Sequence, residues 1–484
     1  MQKPQKSALN KTDALAFFLT ALYVFFFGLV SVLKYNSFSY NDFDLAVHAQ
    51  TLYNILHGSI ESSILGIPFL GNHLNFILFV IAPAYAVFQS PLTLLLLQTL
   101  ALGASAYPIY LIAKENLPEN VSLAVLFSYL FYPSLGYVNL FEFHPTAFAT
   151  FFISATLYFI YKSRFIPFII MIILVLLCQE NLPLVVVPIG IYLLLIKRPV
   201  KWWLSTIILG SVWFWIGVYV LIPYFGKGII QFTSLYGYLG NTGGEILKNI
   251  LTHPVQLSNI ILNPENHNYL LQIIGPVLFL PLLSPVNFLA AVPTIFQHLL
   301  SSRLTEHTIY FHYTAEIIPF VFFASIFGLK KVLSRSTFHK KENFLVNSLL
   351  LAAIGSNLIL GPHINNLLNL RSFLKTDSDY IKEAFLKEIP RDAEVVSTFE
   401  FLPQLSGRSK LYSLHHVIMG KYTLSDISYR LPPTTEYMLI DFEDPLTFKS
   451  GFYTKEGDKN FKQLLRDGGF RVVKKAGPIV LFKK

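Results

Sequence analysis

This sequence is short of cysteine and of charge. Cysteine occurs once in 484 residues, as Cys178, so the chain cannot form an intrachain disulfide. Charged residues make up 13% of the chain, about half of the share of roughly 25% in soluble domains, which excludes an ordinary soluble protein. The sequence also lacks a P-loop, a zinc-protease motif, a Ser-His-Asp arrangement and a dinucleotide fingerprint. No single local motif therefore indicates a reaction.

Apolar and aromatic residues are abundant instead. Hydrophobic residues make up 53% of the chain, the mean hydropathy is +0.52, and there are 44 Phe and 26 Tyr. This composition predicts a polytopic membrane protein. Several of its apolar runs are short for a hydrocarbon core about 30 Å thick. The apolar runs lie near 14–33, 73–89, 92–113, 121–140, 145–161, 165–178, 183–196, 202–225, 270–283, 287–300, 314–329 and 344–361.

Basic residues gather at the ends of these runs, which is the positive-inside pattern rather than a patch for nucleic acid. The net charge of +9 therefore indicates membrane orientation, and we expect no nucleic-acid partner. The loops 162–164, 197–201 and 330–341 are predicted to be cytoplasmic, together with the N-terminus and its Lys3 and Lys6. The segments predicted to be extracytoplasmic are 34–72, 141–145, 179–182, 226–269, 301–313 and the C-terminal domain.

The number of spans follows from this orientation. Three apolar runs lie between residues 72 and 141, which are both predicted to be outside, and an odd number of crossings is impossible there. We expect the run 73–89, which is short and contains Pro83, to be re-entrant or interfacial. About eleven spans remain, an odd number that agrees with a cytoplasmic N-terminus and an extracytoplasmic C-terminus. The predicted location is the cell membrane.

The charge distribution divides the chain into two domains. Residues 362–484 hold 19 Lys/Arg and 15 Asp/Glu, whereas residues 1–361 hold only 18 and 13. We therefore predict a multispan transmembrane domain over 1–361 and a soluble extracytoplasmic α/β domain over 362–484. The predicted elements of the second domain are strands at 394–399, 410–412, 437–441, 470–475 and 478–482, and a helix at 459–467.

Acidic residues follow the first apolar run directly, as Asp42 and Asp44. Carboxylates near lipid are costly, roughly 2.5–3.5 kcal/mol each at a bilayer centre, so a group of them on one side indicates a site. Residues 44–58 have helical periodicity, which places Asp44 and His48 one turn apart on an amphipathic helix at the outer surface. The alternative is that Asp44 only caps an interfacial helix.

Two more outer loops carry acids. Glu142 and His144 are two residues apart before Pro145, so an extended backbone would point both side chains the same way. Such a pair suits a divalent metal, but two ligands alone do not make a site, and a turn with a capped helix end is the alternative. Glu180 lies in a polar triplet between two apolar runs, which indicates a polar cavity or a tight outer loop.

The remaining candidates are histidines and one arginine. His73 begins the second apolar run, and Arg303 is the only arginine that we place on the outer side of the membrane domain. A guanidinium can bind a phosphate through two hydrogen bonds, and His307 and His312 lie close to Arg303 in sequence. Lys227 and Lys248 are weaker phosphate candidates. None of these signals is specific alone. What they have in common is their predicted position on the outer side of the membrane.

A resemblance to a known family runs through most of 35–330 and more weakly into the C-terminal domain. The sequence resembles a multipass archaeal and bacterial membrane family, a domain of unknown function, which in turn looks like the GT-C superfamily of glycosyltransferases. Those enzymes take sugars from polyprenyl-phosphate carriers at the outer face. The segments that carry the resemblance are 43–45, 71–73, 81–83, 97–98, 141–145, 179–181, 312–313 and 318–319.

The resemblance implies an all-α membrane domain of GT-C type and a role for each outer-loop acid. Asp44 would be the catalytic carboxylate, and Glu142, His144 and Glu180 would be ligand or acid/base residues. The first-loop motif of many GT-C enzymes has two adjacent acids, whereas Phe43 separates them here. This departure leaves open whether both acids face the site and whether Mg²⁺ or Mn²⁺ is used.

The expected function is transfer of a sugar from a polyprenyl-phosphate carrier to a lipid, glycan or protein acceptor. Asp44 would take the acceptor proton, and Arg303, or a metal on Glu142 and His144, would meet the leaving phosphate. One carboxylate base would invert the anomeric centre. The alternatives are a polytopic transporter or lipid flippase, since intramembrane acids also form ion sites, and a non-catalytic envelope assembly protein.

Overall fold

The computed structural model describes residues 10–226, 231–335, 342–422, 427–451 and 453–484. The basic N-terminal residues Lys3 and Lys6, the phosphate candidate Lys227 and the basic pair at 340–341 lie outside the described residues. The described residues form a body of helices up to residue 368 and a mixed α/β unit after it.

Most helices of the body follow one another with short connections, whereas the connections 57–76 and 300–317 are longer. One short hairpin, β1 (Glu61–Ser62) and β2 (Ile67–Pro68), interrupts them. The helices are α1 (Lys11–Asn36), α2 (Asp44–Leu56), α3 (Ile77–Val87), α4 (Pro91–Asn116), α5 (Glu119–Leu130), α6 (Pro133–Leu140), α7 (Thr146–Tyr161), α8 (Phe165–Leu176), α9 (Pro183–Leu195), α10 (Val200–Ile216), α11 (Ile222–Phe225), α12 (Gly243–Thr252), α13 (Pro254–Ile261), α14 (Pro264–Ile274), α15 (Pro285–Phe288), α16 (Val292–Leu299), α17 (Ile318–Leu333), α18 (Glu342–Leu360) and α19 (Pro362–Leu368).

Five helical segments in the described ranges are long and apolar enough to cross a membrane. They are α1, α4, α5 with α6, α10 with α11, and α18. The helices α3, α7, α8 and α9 are apolar but shorter. At 1.5 Å per residue, α3 is about 17 Å long, shorter than a hydrocarbon core about 30 Å thick.

Two of the predicted spans are not continuous helices. The run 270–283 ends its α-helix at Ile274, and Leu278 and Phe279 then have positive φ values of 55° and 57°. Pro276 and Pro281 account for the break, because proline donates no backbone hydrogen bond within a helix. The run 287–300 is likewise a short 3₁₀ turn followed by the eight residues of α16.

The long helices of the body pack closely against one another. Helix α1 lies against α4, and a Cβ atom on Gly103 of α4 would lie 2.5 Å from a methyl group of Val24. The absence of a side chain at Gly103 therefore allows this approach. Large apolar side chains such as Phe17 and Phe25 of α1 are exposed by 69% and 70%, which gives the body the apolar perimeter of a membrane protein.

The C-terminal unit contains a five-stranded sheet in the order β4-β3-β5-β7-β6. Strands β3, β4 and β5 are parallel, and β7 pairs antiparallel with β5 and β6. All five predicted strands are present, and the predicted helix begins four residues earlier, at Lys455. The elements are α20 (Asp377–Leu386), β3 (Val395–Ser397), α21 (Leu402–Leu405), β4 (Leu411–Ser413), α22 (Leu414–Met419), β5 (Tyr437–Asp441), α23 (Lys455–Asp467), β6 (Arg471–Ala476) and β7 (Ile479–Lys483).

Helix α2 is covered on two sides, which corrects the prediction of a helix at the outer surface. On one side the hydroxyl of Tyr85 in α3 donates to the carbonyl of Ala49 over 3.3 Å. On the other, the amide of Gln50 donates to the carbonyls of Arg408 and Ser409 over 3.4 and 3.3 Å. The C-terminal unit therefore lies over α2, and the residues from Leu45 to Leu52 are buried.

Candidate active site

A cavity of 630 Å³ lies where the predicted outer loops meet the C-terminal unit. The acidic and basic side chains in its wall come from loops that are far apart in sequence. Most of the predicted site residues line it: Asp42, Asp44, His48, His73, His144, Glu180, Arg303 and His312. Glu142, His307 and Lys248 are not among the lining residues.

Asp44 and His144 form an ion pair or hydrogen bond in the cavity wall. Nε2 of His144 lies 3.1 Å from Oδ2 of Asp44, and their side chains are 9% and 29% exposed. The imidazole of His312 stacks on His144 with ring centroids 3.4 Å apart and an interplanar angle of 11°. The orientation of His144 is thus defined by a carboxylate at its edge and a ring on its face.

Opposing effects set the pKa of Asp44. Burial alone would raise the pKa, but the hydrogen bond from His144 and the nearby imidazoles of His48 and His73 outweigh burial, and the pKa is lowered. Burial raises the pKa of the neighbouring Asp42 to about 7, and the charge of Asp44 adds to this effect. Of the two carboxyl groups, Asp44 is therefore the one whose charged form is favoured by its surroundings.

Glu142 lies beneath the loop that carries Asp44. Its Oε2 accepts the backbone N–H of Leu45 over 3.0 Å, and its Oε1 accepts that of Asp42 over 3.3 Å. A carboxylate at the first turn of α2 is favourable because unpaired N–H groups point from a helix N-terminus. The side chain is 4% exposed, and its residue has a φ of +48°. Glu142 therefore holds the loop in place.

This geometry does not fit the predicted metal pair. Both carboxylate oxygens of Glu142 accept backbone N–H groups, and Nε2 of His144 contacts Asp44. No group of three His, Cys, Asp or Glu side chains arranged for a metal occurs within the described ranges. Two residues in an extended segment would point the same way, but the positive φ of Glu142 turns the chain between them.

Gln98 of α4 fixes the other side of that turn. Its Oε1 accepts the backbone N–H of His144 over 2.8 Å, and its Nε2 donates to the carbonyl of Glu142 over 2.9 Å. The same Nε2 lies 3.2 and 3.0 Å from the carbonyls of Val138 and Asn139. A fully buried amide inside an apolar helix needs such partners. Gln98 therefore positions His144.

A second carboxylate–imidazole pair lines the same cavity. Nδ1 of His73 lies 2.7 Å from Oε1 of Glu180, and Oε2 of Glu180 accepts the backbone N–H of Leu74 over 3.0 Å. Burial would raise the pKa of Glu180, but the charge and hydrogen bond of His73 lower it. Beside this pair, the amide of Asn181 donates to Glu316 over 3.1 Å. The polar triplet at 179–181 therefore lines a cavity, as predicted from its sequence.

Arg303 is the only lysine or arginine among the described residues that line the cavity. Its guanidinium lies 3.1 Å from the hydroxyl of Tyr313 and 3.7 Å from a carboxylate oxygen of Glu306. His307 is directed elsewhere: its Nδ1 lies 2.6 Å from Oδ1 of Asn266, and its Nε2 lies 2.7 Å from the carbonyl of Ser301. Of the predicted substrate-binding residues in this loop, the structure brings Arg303 and His312 to the cavity.

The sequence matches the family of predicted membrane proteins DUF2079 over residues 34–481. The chain belongs to the DUF2079 family. None of the curated proteins matches this sequence. Nearly the whole length of this DUF2079 chain is therefore accounted for by one family, including the C-terminal unit.

The fold of this DUF2079 protein is similar to that of GT-C glycosyltransferases. The apo structure of ArnT from Cupriavidus metallidurans superposes with a TM-score of 0.52 at 10% identity, and the match covers 97% of each chain. The same enzyme bound to undecaprenyl phosphate gives 0.47 at 10% identity, covering 94% of this chain and 97% of that one. The archaeal oligosaccharyltransferase AglB from Archaeoglobus fulgidus, in complex with an inhibitory peptide and a dolichol-phosphate, gives 0.42 at 12% identity, covering 89% and 69%.

Sequence reasoning missed the lining residues of the C-terminal unit. Phe399, His415, Tyr422 and Leu446 of this DUF2079 protein form part of the cavity wall. No local signal marked them, because they follow the strands of an ordinary α/β unit. A signal did exist for Gln98, since a glutamine within an apolar helix requires internal partners.

Proposed function

We propose that this protein is an integral membrane glycosyltransferase that moves a sugar from a polyprenyl-phosphate carrier to a hydroxyl-bearing lipid, glycan or protein acceptor. The observation that carries the proposal is the carboxyl group of Asp44, 3.1 Å from His144, in a cavity that Arg303 also lines. The GT-C fold of the chain supports it. The cavity thus combines a proton acceptor with a cation for a leaving phosphate.

The reaction is a single displacement at the anomeric carbon. The acceptor hydroxyl attacks that carbon, and its proton passes to the Asp44 carboxylate. The bond between the anomeric carbon and the phosphate oxygen breaks, and the lipid phosphate leaves with the electron pair. Arg303 stabilises the negative charge that develops on that phosphate. Attack from the side opposite the phosphate inverts the anomeric centre.

An apolar wall suits the prenyl chain. Leu184 of α9, Phe214 of α10 and Ile222 of α11 line the cavity on the side of the apolar helices. Tyr219 and Trp215, in the same stretch, are exposed by 57% and 60% at the perimeter of the body. A lipid tail can therefore follow α10 towards the cavity while its phosphate meets Arg303.

The proposed location is the outer face of the cell membrane, with a cytoplasmic N-terminus and an extracytoplasmic C-terminal unit. A topology reporter fused after residue 484 tests this arrangement, and a cytoplasmic signal would contradict it. The cavity would then face the outside of the cell, where the transfer would take place.

The function is tested by replacing Asp44 with asparagine. Purified protein in proteoliposomes is supplied with polyprenyl-phosphate carriers whose sugar is radiolabelled. A membrane extract provides the acceptor. We expect Asp44→Asn to lower transfer by about 10²- to 10⁴-fold, the usual contribution of a general base. The matched control is Glu61→Gln, since Glu61 lies exposed in the same outer segment. Equal transfer by both variants would refute the proposal, and uptake of the intact lipid-free sugar would favour a transporter.

A further inference from the structure

We propose that Phe43 is a positioning residue that couples the C-terminal unit to the catalytic loop, through an aromatic box formed by Phe399, His416 and Tyr422. This inference rests on the proposed role of Asp44 as the base. The C-terminal unit would then be an integral part of the active site rather than an appended domain.

The ring of Phe43 is packed among three rings of the C-terminal unit. Its centroid lies 5.8 Å from Phe399 with an interplanar angle of 30°, 5.5 Å from His416 at 69°, and 6.1 Å from Tyr422 at 75°. Stacked and edge-to-face pairs at such distances are favourable. The three partners are 4%, 0% and 1% exposed, so the box is part of a packed interior.

The box is uncharged and fixed. Burial lowers the pKa of His416 to about 3, and its Nδ1 lies 3.2 Å from the carbonyl of Ile64 in the hairpin of the membrane body. Phe399 and Tyr422 also line the cavity. The interior that receives Phe43 is therefore continuous with the wall of the proposed active site.

Phe43 acts on Asp44 through the backbone. Phe43 is the residue before the first turn of α2, and its carbonyl accepts the backbone N–H of Val47 over 2.8 Å. Its own N–H donates to Oδ1 of Asp42 over 2.8 Å. Fixing the Phe43 ring thus fixes the direction in which α2 begins, and Asp44 is the first residue of that helix.

The loop is consequently held from two sides. Glu142 binds the N–H groups of Asp42 and Leu45 from the membrane body, and the aromatic box holds Phe43 from the C-terminal unit. Many GT-C enzymes have two adjacent acids at this point, whereas Phe43 separates Asp42 from Asp44 in this chain. The contacts of Phe43 give a structural reason for this difference. Its ring packs against the C-terminal unit and lines the cavity together with the acids on either side.

The test compares Phe43→Leu with Phe38→Leu. Phe38 packs on Phe401 of the C-terminal unit at 5.9 Å, so both variants remove one ring from the same interface, and only Phe43 is the direct neighbour of Asp44. Transfer from a radiolabelled polyprenyl-phosphate sugar is measured against pH. We expect Phe43→Leu to lower kcat by on the order of tenfold to a hundredfold, the scale of a misplaced catalytic group.

The pH profile separates misplacement from unfolding. If Asp44 moves away from His144 while it stays buried, its pKa rises, and the acidic limb of kcat shifts to higher pH. Loss of folded protein would lower kcat without moving this limb. The groups that face Asp44 are the same in both variants: Asp42, His48, His73, Glu142, His144 and Tyr422.

A second measurement does not depend on the activity. Hydrogen exchange of the peptide that covers residues 42–52 is expected to rise in Phe43→Leu and in Phe399→Leu, no further in the double variant, and to stay unchanged in Phe38→Leu. An unmoved acidic limb, or equal exchange in Phe43→Leu and Phe38→Leu, would overturn the coupling. If the wild-type protein transfers no sugar, the proposed function is overturned. If hydrogen exchange in Phe43→Leu is nevertheless altered as expected, the coupling stands.

Discussion

The imidazole of His144 lies 3.1 Å from the carboxylate of Asp44, although one hundred residues separate the two in sequence. Two different loops of the body therefore meet at one point of the cavity wall. The pair resembles the carboxylate–imidazole arrangements that set protonation states in other active sites. In the proposed reaction it keeps Asp44 ionised until the acceptor proton arrives.

Replacing His144 by phenylalanine is expected to shift the pH dependence of transfer. His144→Phe keeps a ring against His312 but removes the hydrogen bond that lowers the pKa of Asp44. The pKa of Asp44 therefore rises. Because the base is active when it is deprotonated, the acidic limb of kcat moves to higher pH. The measurement is the pH–rate profile in proteoliposomes, with His57→Phe as the control because His57 is exposed. A limb that stays in place would contradict this role of His144.

Replacing Glu142 by alanine is expected to destabilise the protein. The N–H groups of Asp42 and Leu45 lose their acceptor, at a cost of about 1–3 kcal/mol for each buried group. Maleimide labelling of the buried Cys178 during heating measures unfolding in the membrane. Glu456→Ala is the control, since Glu456 is 70% exposed and should leave the labelling temperature unchanged. Recovery of transfer with added Mn²⁺ would instead support the metal role that the sequence suggested for Glu142.

Replacing Gln98 by methionine tests whether Gln98 positions the turn that carries Glu142 and His144. The methionine has a similar volume but leaves the N–H of His144 without its acceptor, at a cost of about 1–3 kcal/mol. We expect a lower unfolding temperature and a loss of transfer that exceeds the loss of folded protein. The comparison is Gln98→Glu, in which a carboxyl oxygen can accept that N–H while the donor to the carbonyls of Val138, Asn139 and Glu142 is lost. If methionine and glutamate behave alike, the hydrogen bond to His144 is not what matters.

Arg303 and His307 are expected to differ although the sequence assigned both to substrate binding. Arg303→Gln should raise the KM for the lipid donor about tenfold or more, because a hydrogen bond to a charged group contributes about 1.5–3 kcal/mol. His307→Gln should leave that KM unchanged and lower the unfolding temperature, because its ring bonds Asn266 and Ser301. A raised KM in His307→Gln would show that the loop rearranges around the donor.

Much of the fold could be predicted from local patterns. The strands at β3 to β7 and the helix that ends at Asp467 follow from alternation, glycine and length. The irregular backbone of the runs 270–283 and 287–300 was not predicted, because their hydropathy stays high through the 3₁₀ turns that interrupt them. Hydropathy measures transfer into an apolar environment, and it does not distinguish a span from a buried irregular segment.

Most of the side chains that the sequence proposed for a site line the cavity, but the predicted metal pair does not fit the observed geometry. Asp44, His144, Glu180 and Arg303 were identified because polar groups are rare and costly in such a chain. The metal pair of Glu142 with His144 was inferred from spacing in an extended strand, whereas the backbone at Glu142 has a positive φ. Spacing gives direction only when the backbone conformation is known.

The sequence by itself determined that this chain is a membrane protein with acids in the loops between its apolar runs and a C-terminal α/β unit, because composition, charge and periodicity are local quantities. The tertiary structure decided which acids face the cavity, which ones bind backbone N–H groups, and that Phe43 reaches the C-terminal unit. Those outcomes depend on contacts between segments as far apart as Phe43 and Phe399. Such contacts are set by the packing of the whole chain, and no local pattern contains them.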